Sequence, residues 1–310
     1  MPETTPQIAL LAPGQGSQTP GMLTEWLSLP GAAEQLATWS SISGLDLARL
    51  GTTAEADEIT DTAVTQPLVV AATLLAHREL QARGLLGNAN LIVAGHSVGE
   101  IAAYAIAGVI SPDDAIALAA TRGAEMAKAC AVEPTGMSAV LGGDENEVLK
   151  ALADLDLIPA NRNAAGQIVA AGRLDALAKL AENPPERARV RQLATAGAFH
   201  TQYMAPASDG YAAAAAKVAT AEPNAGVTLL SNADGRPVAS AADAMTKLVA
   251  QMTSPVRWDL CTAGMRDAGV AAIVEFPPAG ALVGIAKREL KGVPTHAIKT
   301  PTDLDGLAEL

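Results

Sequence analysis

The chain has 310 residues, hydrophobic residues make up 49% of it, and its formal net charge is −12. This length and hydrophobic fraction are sufficient for a large buried core, whereas the negative charge argues against nucleic acid or an anionic membrane surface as a partner. The two cysteines, Cys130 and Cys261, lie far apart in sequence and only four histidines accompany them, which disfavours a disulfide framework or a metal site. We therefore expect a cytoplasmic globular protein that holds no metal.

The N-terminal segment predicts a strand followed by a glycine-rich loop. Residues 8–12 form an apolar run, and residues 14–18 read GQGSQ. The loop lacks the Gly-Lys pair of a phosphate-binding loop and has Thr19 where a dinucleotide-binding turn has its third glycine, so no nucleotide site is expected. A loop at the end of a strand can instead supply a backbone N–H to an oxyanion, and Gln15 is the candidate. The segment lacks the basic region and the long apolar run of a signal peptide.

Residues 91–100 read LIVAGHSVGE and place a serine at a predicted strand-to-helix turn. The Gly-x-Ser-x-Gly pattern is typical of a nucleophile elbow, in which glycines relieve crowding and the serine lies at a helix N-terminus that favours negative charge. We interpret Ser97 as a nucleophile; the alternative is a serine tolerated in a tight turn. His96 and Glu100 interrupt the surrounding apolar stretch, so it does not predict a membrane span.

A second helix is predicted to begin at Ser111, which suits the N-cap, with Pro112 in the first helical position. Within it, Arg122 shares one stripe with apolar residues. Those residues are Ala115, Leu118, Ala119 and Met126. An arginine on such a face either extends its charged head to the surface or pairs with a buried anion through its planar guanidinium. We favour the second interpretation, with a substrate carboxylate as the anion.

Residues 132–196 follow a different pattern. The predicted elements are a strand at 137–141, a helix from Asp144, strands near 157–161 and at 167–171, a helix from Leu174 and a strand at 187–195. This βαββαβ order predicts a small ferredoxin-like domain.

The remaining segments predict a parallel sheet. Short apolar runs lie at 8–12, 91–94, 227–230 and 270–276, with helical patterns between them. We therefore predict an α/β fold with two domains. The large one is α/β-hydrolase-like, carries the nucleophile elbow and is discontinuous, with residues 1–131 and 197–310; the small one, residues 132–196, is inserted into it.

A serine hydroxyl needs a base to remove its proton, and the chain offers four histidines. His77 lies beside charged residues on a predicted helix and is interpreted as a solvated or capping side chain. His96 adjoins Ser97, but neighbouring side chains at an elbow diverge, so it is interpreted as structural or as an entrance residue. His296 is consistent with an edge strand. His200, at the end of the small domain, is the predicted base.

The group that orients His200 is left open by the residues alone. Asp209 and Asp259 are conceivable carboxylates, but neither lies in an informative context. A backbone carbonyl can orient an imidazole instead of a carboxylate.

The order and spacing of these motifs resemble those of the bacterial malonyl-coenzyme A:acyl carrier protein transacylase family over essentially the whole chain. The segments that carry the resemblance are APGQGSQ, GHSVGE, TRGAEM, PANRNAAGQIVAAG, GAFH, QMTSPVRW and EFPPAGALVGIAK. Val98 stands where leucine is more usual, and Ala164-Ala165 replace the commoner Ser-Pro.

The resemblance implies a role for each residue at the reacting end of the site. Ser97 is expected to carry the acyl group and His200 to act as the base. Arg122 is expected to bind the malonyl carboxylate. The backbone N–H groups of Gln15 and Val98 are expected to form the oxyanion hole.

The resemblance also implies the surroundings of these residues. The main-chain carbonyl of Gln251 is expected to orient the histidine, and Asn161 and Asn163 are expected to line the pantetheine channel. His96 is placed at the entrance of the same channel. Phe199 precedes the base as in relatives that select malonyl over methylmalonyl units, because a bulky ring there crowds a 2-methyl group.

The function implied is a ping-pong transfer of malonyl from malonyl-coenzyme A to acyl carrier protein, for fatty-acid or polyketide synthesis, without a cofactor. The carrier is expected to be acidic and to bind transiently to a monomeric enzyme. Two basic clusters are candidates for its docking. They are Arg187, Arg189 and Arg191, which alternate along the predicted strand at 187–195, and Lys287, Arg288 and Lys291. The alternative, which the residues alone favour for each cluster, is an ordinary solvated surface. The alternatives are a serine esterase or thioesterase of the α/β-hydrolase type, and a scaffold protein that has lost its chemistry.

Overall fold

The computed structural model describes residues 6–87 and 89–310, so the first five residues of the predicted large domain lie outside the described residues. The strands in this part of the chain are β1 Gln7–Ala12, β2 Asn90–Gly95, β3 Thr135–Gly142, β4 Ile158–Ala164, β5 Gln167–Arg173, β6 Ala188–Gln192, β7 Val227–Leu229, β8 Ala272–Glu275 and β9 Thr295–Ala297. The α-helices are α1 Ala32–Ser43, α2 Leu47–Thr52, α3 Thr62–Ala82, α4 Gly99–Ile106, α5 Pro112–Cys130, α6 Glu145–Asp154, α7 Leu174–Glu182, α8 Ala205–Ala215, α9 Ala241–Ala250, α10 Trp258–Asp267 and α11 Ala281–Glu289.

Five strands form the predicted parallel sheet, in the order β7-β2-β1-β8-β9. Alternate residues of a strand point to opposite faces of the sheet, and in β1 both sets are buried. Ile8 and Leu10 of β1 pack in one hydrophobic core, and Ala9 and Leu11 pack in the core on the other face. The continuous apolar runs of the sequence follow from this burial.

Helix α5 begins as predicted, since Ser111 accepts a hydrogen bond from the N–H of Asp114 and Pro112 occupies the first turn. It packs against α3, and Gly123 permits their close approach because a Cβ there would lie 2.7 Å from the carbonyl oxygen of Thr62. The buried stripe of α5 that contains Arg122 therefore faces α3. Across 6–87 and 89–310, none of the helices combines the length and hydropathy required to cross a bilayer.

Four strands form a separate antiparallel sheet in the order β4-β5-β3-β6. Its elements follow one another as βαββαβ, as the sequence predicts, and a small core lies between the sheet and helices α6 and α7. All four strands differ from their predicted extents, and β4 and β6 differ most. β4 continues to Ala164 through irregular pairing next to Pro159, which has no N–H to donate, and β6 ends at Gln192, before a turn in which the N–H of Thr195 donates to Leu193.

Hydrogen bonds tie the antiparallel sheet to the segments around Val256 and Ala198. The N–H of Val256 donates to the carbonyl of Ala160, and the N–H of Arg162 donates to the carbonyl of Val256. On the other side, the N–H of Ala198 donates to the hydroxyl of Thr135. These contacts hold the antiparallel sheet in place. One face of that sheet lines a cavity of about 380 Å³ above the parallel sheet.

His77 is partly buried, so the interpretation of it as a solvated or capping side chain holds only in part. Its ring lies edge-on to Phe276 with the ring centroids 5.9 Å apart. Burial lowers the pKa of His77 to about 4. The charged neighbours in the sequence, Arg78 and Glu79, point to other sides of α3, because consecutive residues do not share a helix face.

Candidate active site

Ser97 lies at the sharp turn between β2 and α4, with a backbone φ of 54°. Glycine is required on both sides of it. A Cβ on Gly95 would lie 2.0 Å from the carbonyl oxygen of Gly99, and a Cβ on Gly99 would lie 2.2 Å from that of Ala12. The turn directs the serine side chain into the cavity, where it is one of the lining residues.

The imidazole of His200 is positioned between the serine and a main-chain carbonyl. Its Nε2 atom lies 2.7 Å from Oγ of Ser97, and its Nδ1 atom lies 2.8 Å from the carbonyl oxygen of Gln251. Since the carbonyl can only accept, Nδ1 carries the proton and Nε2 is left as the acceptor for the serine hydroxyl. Burial, with a contribution from the nearby Arg122 charge, lowers the pKa of His200 to about 3. The ring is therefore neutral and able to act as a base.

Arg122 is fully buried, at 1% exposure, so the alternative in which its head extends to the surface is wrong. Its Nη1 group donates to Oε1 of Gln66 and its Nη2 group to Oε1 of Gln251, both at 2.8 Å. Among the described residues its Nε group has no hydrogen-bond partner. The guanidinium thus lines the cavity with only neutral oxygens bound to it, an arrangement that suits an incoming carboxylate.

The two predicted oxyanion donors flank the nucleophile. Gln15 lines the cavity, and its side chain donates to Thr62 at 3.2 Å. Val98 directly follows Ser97 as the N-cap of α4. In the chain as described, neither backbone N–H donates to a protein acceptor, whereas the N–H of Ser97 donates to Oδ1 of Asn232 at 2.8 Å.

The predicted channel residues line the same cavity. Asn161 and Asn163 come from β4, and Phe199 precedes the base. Nε2 of His96 lies 2.9 Å from Oδ1 of Asn163, and the His96 ring packs against Trp258 at 5.5 Å between centroids. The structure therefore brings all ten predicted site residues to this cavity or its immediate surroundings.

Comparisons with known proteins match this arrangement. A family model described as acyl transferase domain matches residues 10–301. This chain belongs to the acyl transferase family. The malonyl CoA-acyl carrier protein transacylase of Mycobacterium tuberculosis strain H37Rv is 74% identical over 303 residues, covering 98% of this chain and all of that protein.

Solved structures of related proteins superpose closely on this chain. A crystal structure of MCAT from Mycobacterium tuberculosis superposes with a TM-score of 0.95 at 74% identity, covering 97% of this chain and 99% of that one. A malonyl-transacylase in complex with a type II polyketide-synthase acyl-carrier protein superposes with a TM-score of 0.90 at 29% identity, covering 98% and 99%.

Three buried polar residues of this acyl transferase contact the site and were not predicted. Gln66 binds the guanidinium, Glu100 contacts the Gln251 side chain, and Asn232 binds the main chain of Ser97. Glu100 had a signal, since it is a charged residue in the apolar helix that follows the nucleophile. Gln66 and Asn232 had none, because a glutamine in a helix and an asparagine in a turn occur frequently on surfaces.

The two basic clusters are both exposed, but they differ from the predicted pattern in one respect. Arg187 precedes β6, with a φ of 60°, instead of alternating within it. Arg191 is paired with Ala139, a cavity-lining residue, so it lies on the cavity side of the antiparallel sheet. Arg288, on α11, lines the cavity itself and donates to Gln167.

Proposed function

We propose that this protein transfers a malonyl group from malonyl-coenzyme A to the phosphopantetheine thiol of an acyl carrier protein, supplying malonyl units for fatty-acid synthesis. One observation carries the proposal. A serine and a neutral histidine in hydrogen-bond contact share a cavity with a buried arginine that has an unused donor. Relatives that are 74% identical and named malonyl CoA-acyl carrier protein transacylase support it.

In the first half-reaction, Oγ of Ser97 attacks the thioester carbonyl carbon while Nε2 of His200 takes the hydroxyl proton. The new C–O bond replaces the C–S bond, and the imidazolium returns the proton to the departing coenzyme A sulfur. The N–H groups of Gln15 and Val98 stabilise the oxyanion of the tetrahedral intermediate. In the second half-reaction, the carrier thiol gives its proton to His200 and attacks the malonyl-serine ester. The new C–S bond replaces the ester C–O bond, and the imidazolium returns the proton to Oγ of Ser97.

Arg122 selects the acyl group by binding the malonyl carboxylate. An acetyl thioester leaves the guanidinium buried with only the amide oxygens of Gln66 and Gln251, so its transition state lacks the charge-assisted hydrogen bonds. Such a loss costs about 2 to 5 kcal/mol, which corresponds to about thirty- to several-thousand-fold in rate. Phe199 adds a steric filter against a 2-methyl group, and Asn161, Asn163 and His96 contact the pantetheine arm.

The carrier docks where the cavity opens between two basic edges. Arg191 borders it on the side of β6 and Arg288 on the side of α11. Positive charge at this position attracts an acidic partner despite the net charge of −12. The malonyl-transacylase solved with its acyl-carrier protein supports the partner class.

We further propose that the large domain, residues 1–131 and 197–310, is α/β-hydrolase-like, that residues 132–196 form a ferredoxin-like domain, and that the enzyme acts as a monomer. The strand order β4-β5-β3-β6 supports the second part. The cytoplasmic location stays a prediction. The steps above assign no role to a cofactor, and the absence of one stays a prediction.

The intact mass of the protein after incubation with malonyl-coenzyme A tests the function. We expect a persistent malonyl adduct on Ser97 that is discharged quickly only when an acyl carrier protein is added. Unaided discharge would indicate a serine hydrolase, the main alternative, and the lack of any adduct would indicate a scaffold.

A further inference from the structure

Glu100 is a buried carboxylate three residues after the nucleophile, and the mechanism proposed above gives it no role. Its exposure is 0%, in the first turn of α4. Its Oε1 atom accepts from the backbone N–H of Asn232 at 2.7 Å, and its Oε2 atom accepts from Nε2 of Gln251 at 2.5 Å. A carboxylate in such a place requires an explanation, because burying its charge is costly.

The contact with Gln251 fixes which way round that side-chain amide lies. An amide has an accepting oxygen at one end and a donating nitrogen at the other. Arg122 can only donate, so the oxygen must face the guanidinium, and an ionised Glu100 can only accept, so the nitrogen must face the carboxylate. The orientation is thus imposed from both sides. On the nitrogen side, Glu100 makes the shortest contact, and the carbonyl of Ser97 and Oδ1 of Asn232 also accept from Nε2, at 3.2 and 3.3 Å.

Gln251 also contacts the reacting groups through its main chain. Its carbonyl oxygen accepts from Nδ1 of His200 at 2.8 Å. Asn232, the other partner of Glu100, accepts the N–H of Ser97 at its Oδ1 atom and donates from Nδ2 to the carbonyl of Gly95. Glu100 therefore contacts Gln251, which binds the guanidinium and the base. It also contacts Asn232, which binds the turn around Ser97.

We propose that Glu100 is a positioning residue for this acyl transfer: it locks the Gln251 amide so that the guanidinium of Arg122 is held in the orientation that binds the acyl carboxylate. The inference rests on the proposed function. It predicts that loss of the lock impairs malonyl transfer more than acetyl transfer, because an acetyl group makes no use of the guanidinium.

The ionisation state of Glu100 sets the conditions of the test. Burial raises the pKa of this carboxyl to about 7, and the donors from Asn232, Ser231 and Gln251 oppose the shift by hydrogen-bonding the charged form. Measurements at about pH 8 keep the group in its accepting form.

The variant Glu100→Gln tests the inference. A glutamine at this position can accept from only one of its two donor partners, the Asn232 N–H and the Gln251 NH₂. Its own NH₂ group must then face the other donor, and no hydrogen bond forms there. We expect the ratio of kcat/KM for malonyl-coenzyme A to that for acetyl-coenzyme A to fall by at least about tenfold.

Glu275→Gln is the matched control. Glu275 is also fully buried, and its carboxylate accepts from the backbone N–H groups of Gly280, Leu282 and Val283 without contacting Arg122 or Gln251. The control is expected to lower thermal stability while leaving the malonyl-to-acetyl ratio near the wild-type value.

Equal losses of malonyl and acetyl transfer in Glu100→Gln would overturn the inference, as would an equal change of the ratio in Glu275→Gln. If Glu100→Gln does not fold, Gln251→Met removes the amide contacts with Arg122 and Glu100, together with the longer ones to Ser97 and Asn232, and keeps the main-chain carbonyl. It should lower the ratio as well, and an unchanged ratio there would also overturn the inference. A wild-type protein that forms no malonyl adduct would instead contradict the proposed function.

Discussion

The two ends of the cavity differ in the way their polar groups are held. At the acyl end, formed by Ser97, His200, Arg122 and Gln251, the base and the guanidinium are buried and bound to defined partners at 2.7 to 2.8 Å. The mouth comprises Gln167 and Arg288, which line the cavity, and Arg191, whose strand partner Ala139 lines it; both arginines are exposed. Buried groups that lose a partner are costly, whereas exposed charges are screened by water and salt. We infer that the acyl end determines chemistry and acyl selection, and that the mouth adjusts partner binding.

The largest effect is expected from Ser97→Ala, which removes the attacking oxygen. Acyl transfer should fall by at least about ten-thousand-fold, and no malonyl adduct should form. The control is Ser17→Ala, since Ser17 lines the same cavity but its hydroxyl donates only to the carbonyl of Gly14. A comparable loss in the control, or an adduct that persists without Ser97, would contradict the assignment.

Arg122→Lys should have the next largest effect. Lysine keeps the charge but is not planar, so it cannot bind Gln66, Gln251 and a carboxylate in the same geometry. We expect kcat/KM for malonyl-coenzyme A to fall by about 10- to 100-fold. Activity near the wild-type level would mean that charge alone is recognised.

The pH dependence of folding sharpens the description of the acyl end. Because burial lowers the pKa of His200 to about 3, the unfolded chain binds a proton below about pH 6.5 that the folded protein excludes. The free energy of unfolding therefore decreases as the pH falls from 6.5 towards 3, by up to about 1.4 kcal/mol per pH unit from this group. His200→Gln should lack that part of the slope in urea unfolding measured at several pH values. An identical slope in both proteins would show that the imidazole is not buried in its neutral form.

The smallest effect is expected at the mouth. Arg191→Glu should raise KM for the carrier protein by about three- to tenfold at low salt, and the effect should shrink as the screening length falls to about 3 Å at 1 M salt. Arg173→Glu is the control, because Arg173 is an exposed arginine paired with Glu133 and Asp175 at the end of β5. Equal effects of both variants would indicate net charge instead of a docking site.

The sequence predicted the features that depend on local rules. The turn around Ser97 follows from glycine sterics, the start of α5 from the Ser111 cap, and the parallel sheet from its apolar runs. The resemblance, not the spacing, pointed to the Gln251 carbonyl. The contacts of Glu100 and Asn232 could not be predicted, because they join residues 132 positions apart through a loop without regular structure. The partial burial of His77 was not predicted, because its partner, Phe276, is even more remote in sequence.

The most direct test of acyl selection at the buried end is a competition between malonyl- and acetyl-coenzyme A for Ser97, measured by intact mass for the wild type and Arg122→Ala. We expect the wild type to form the malonyl adduct almost exclusively, and Arg122→Ala to lose that preference by at least about thirtyfold while still forming some acetyl adduct. Both adducts decreasing by the same factor would contradict the account.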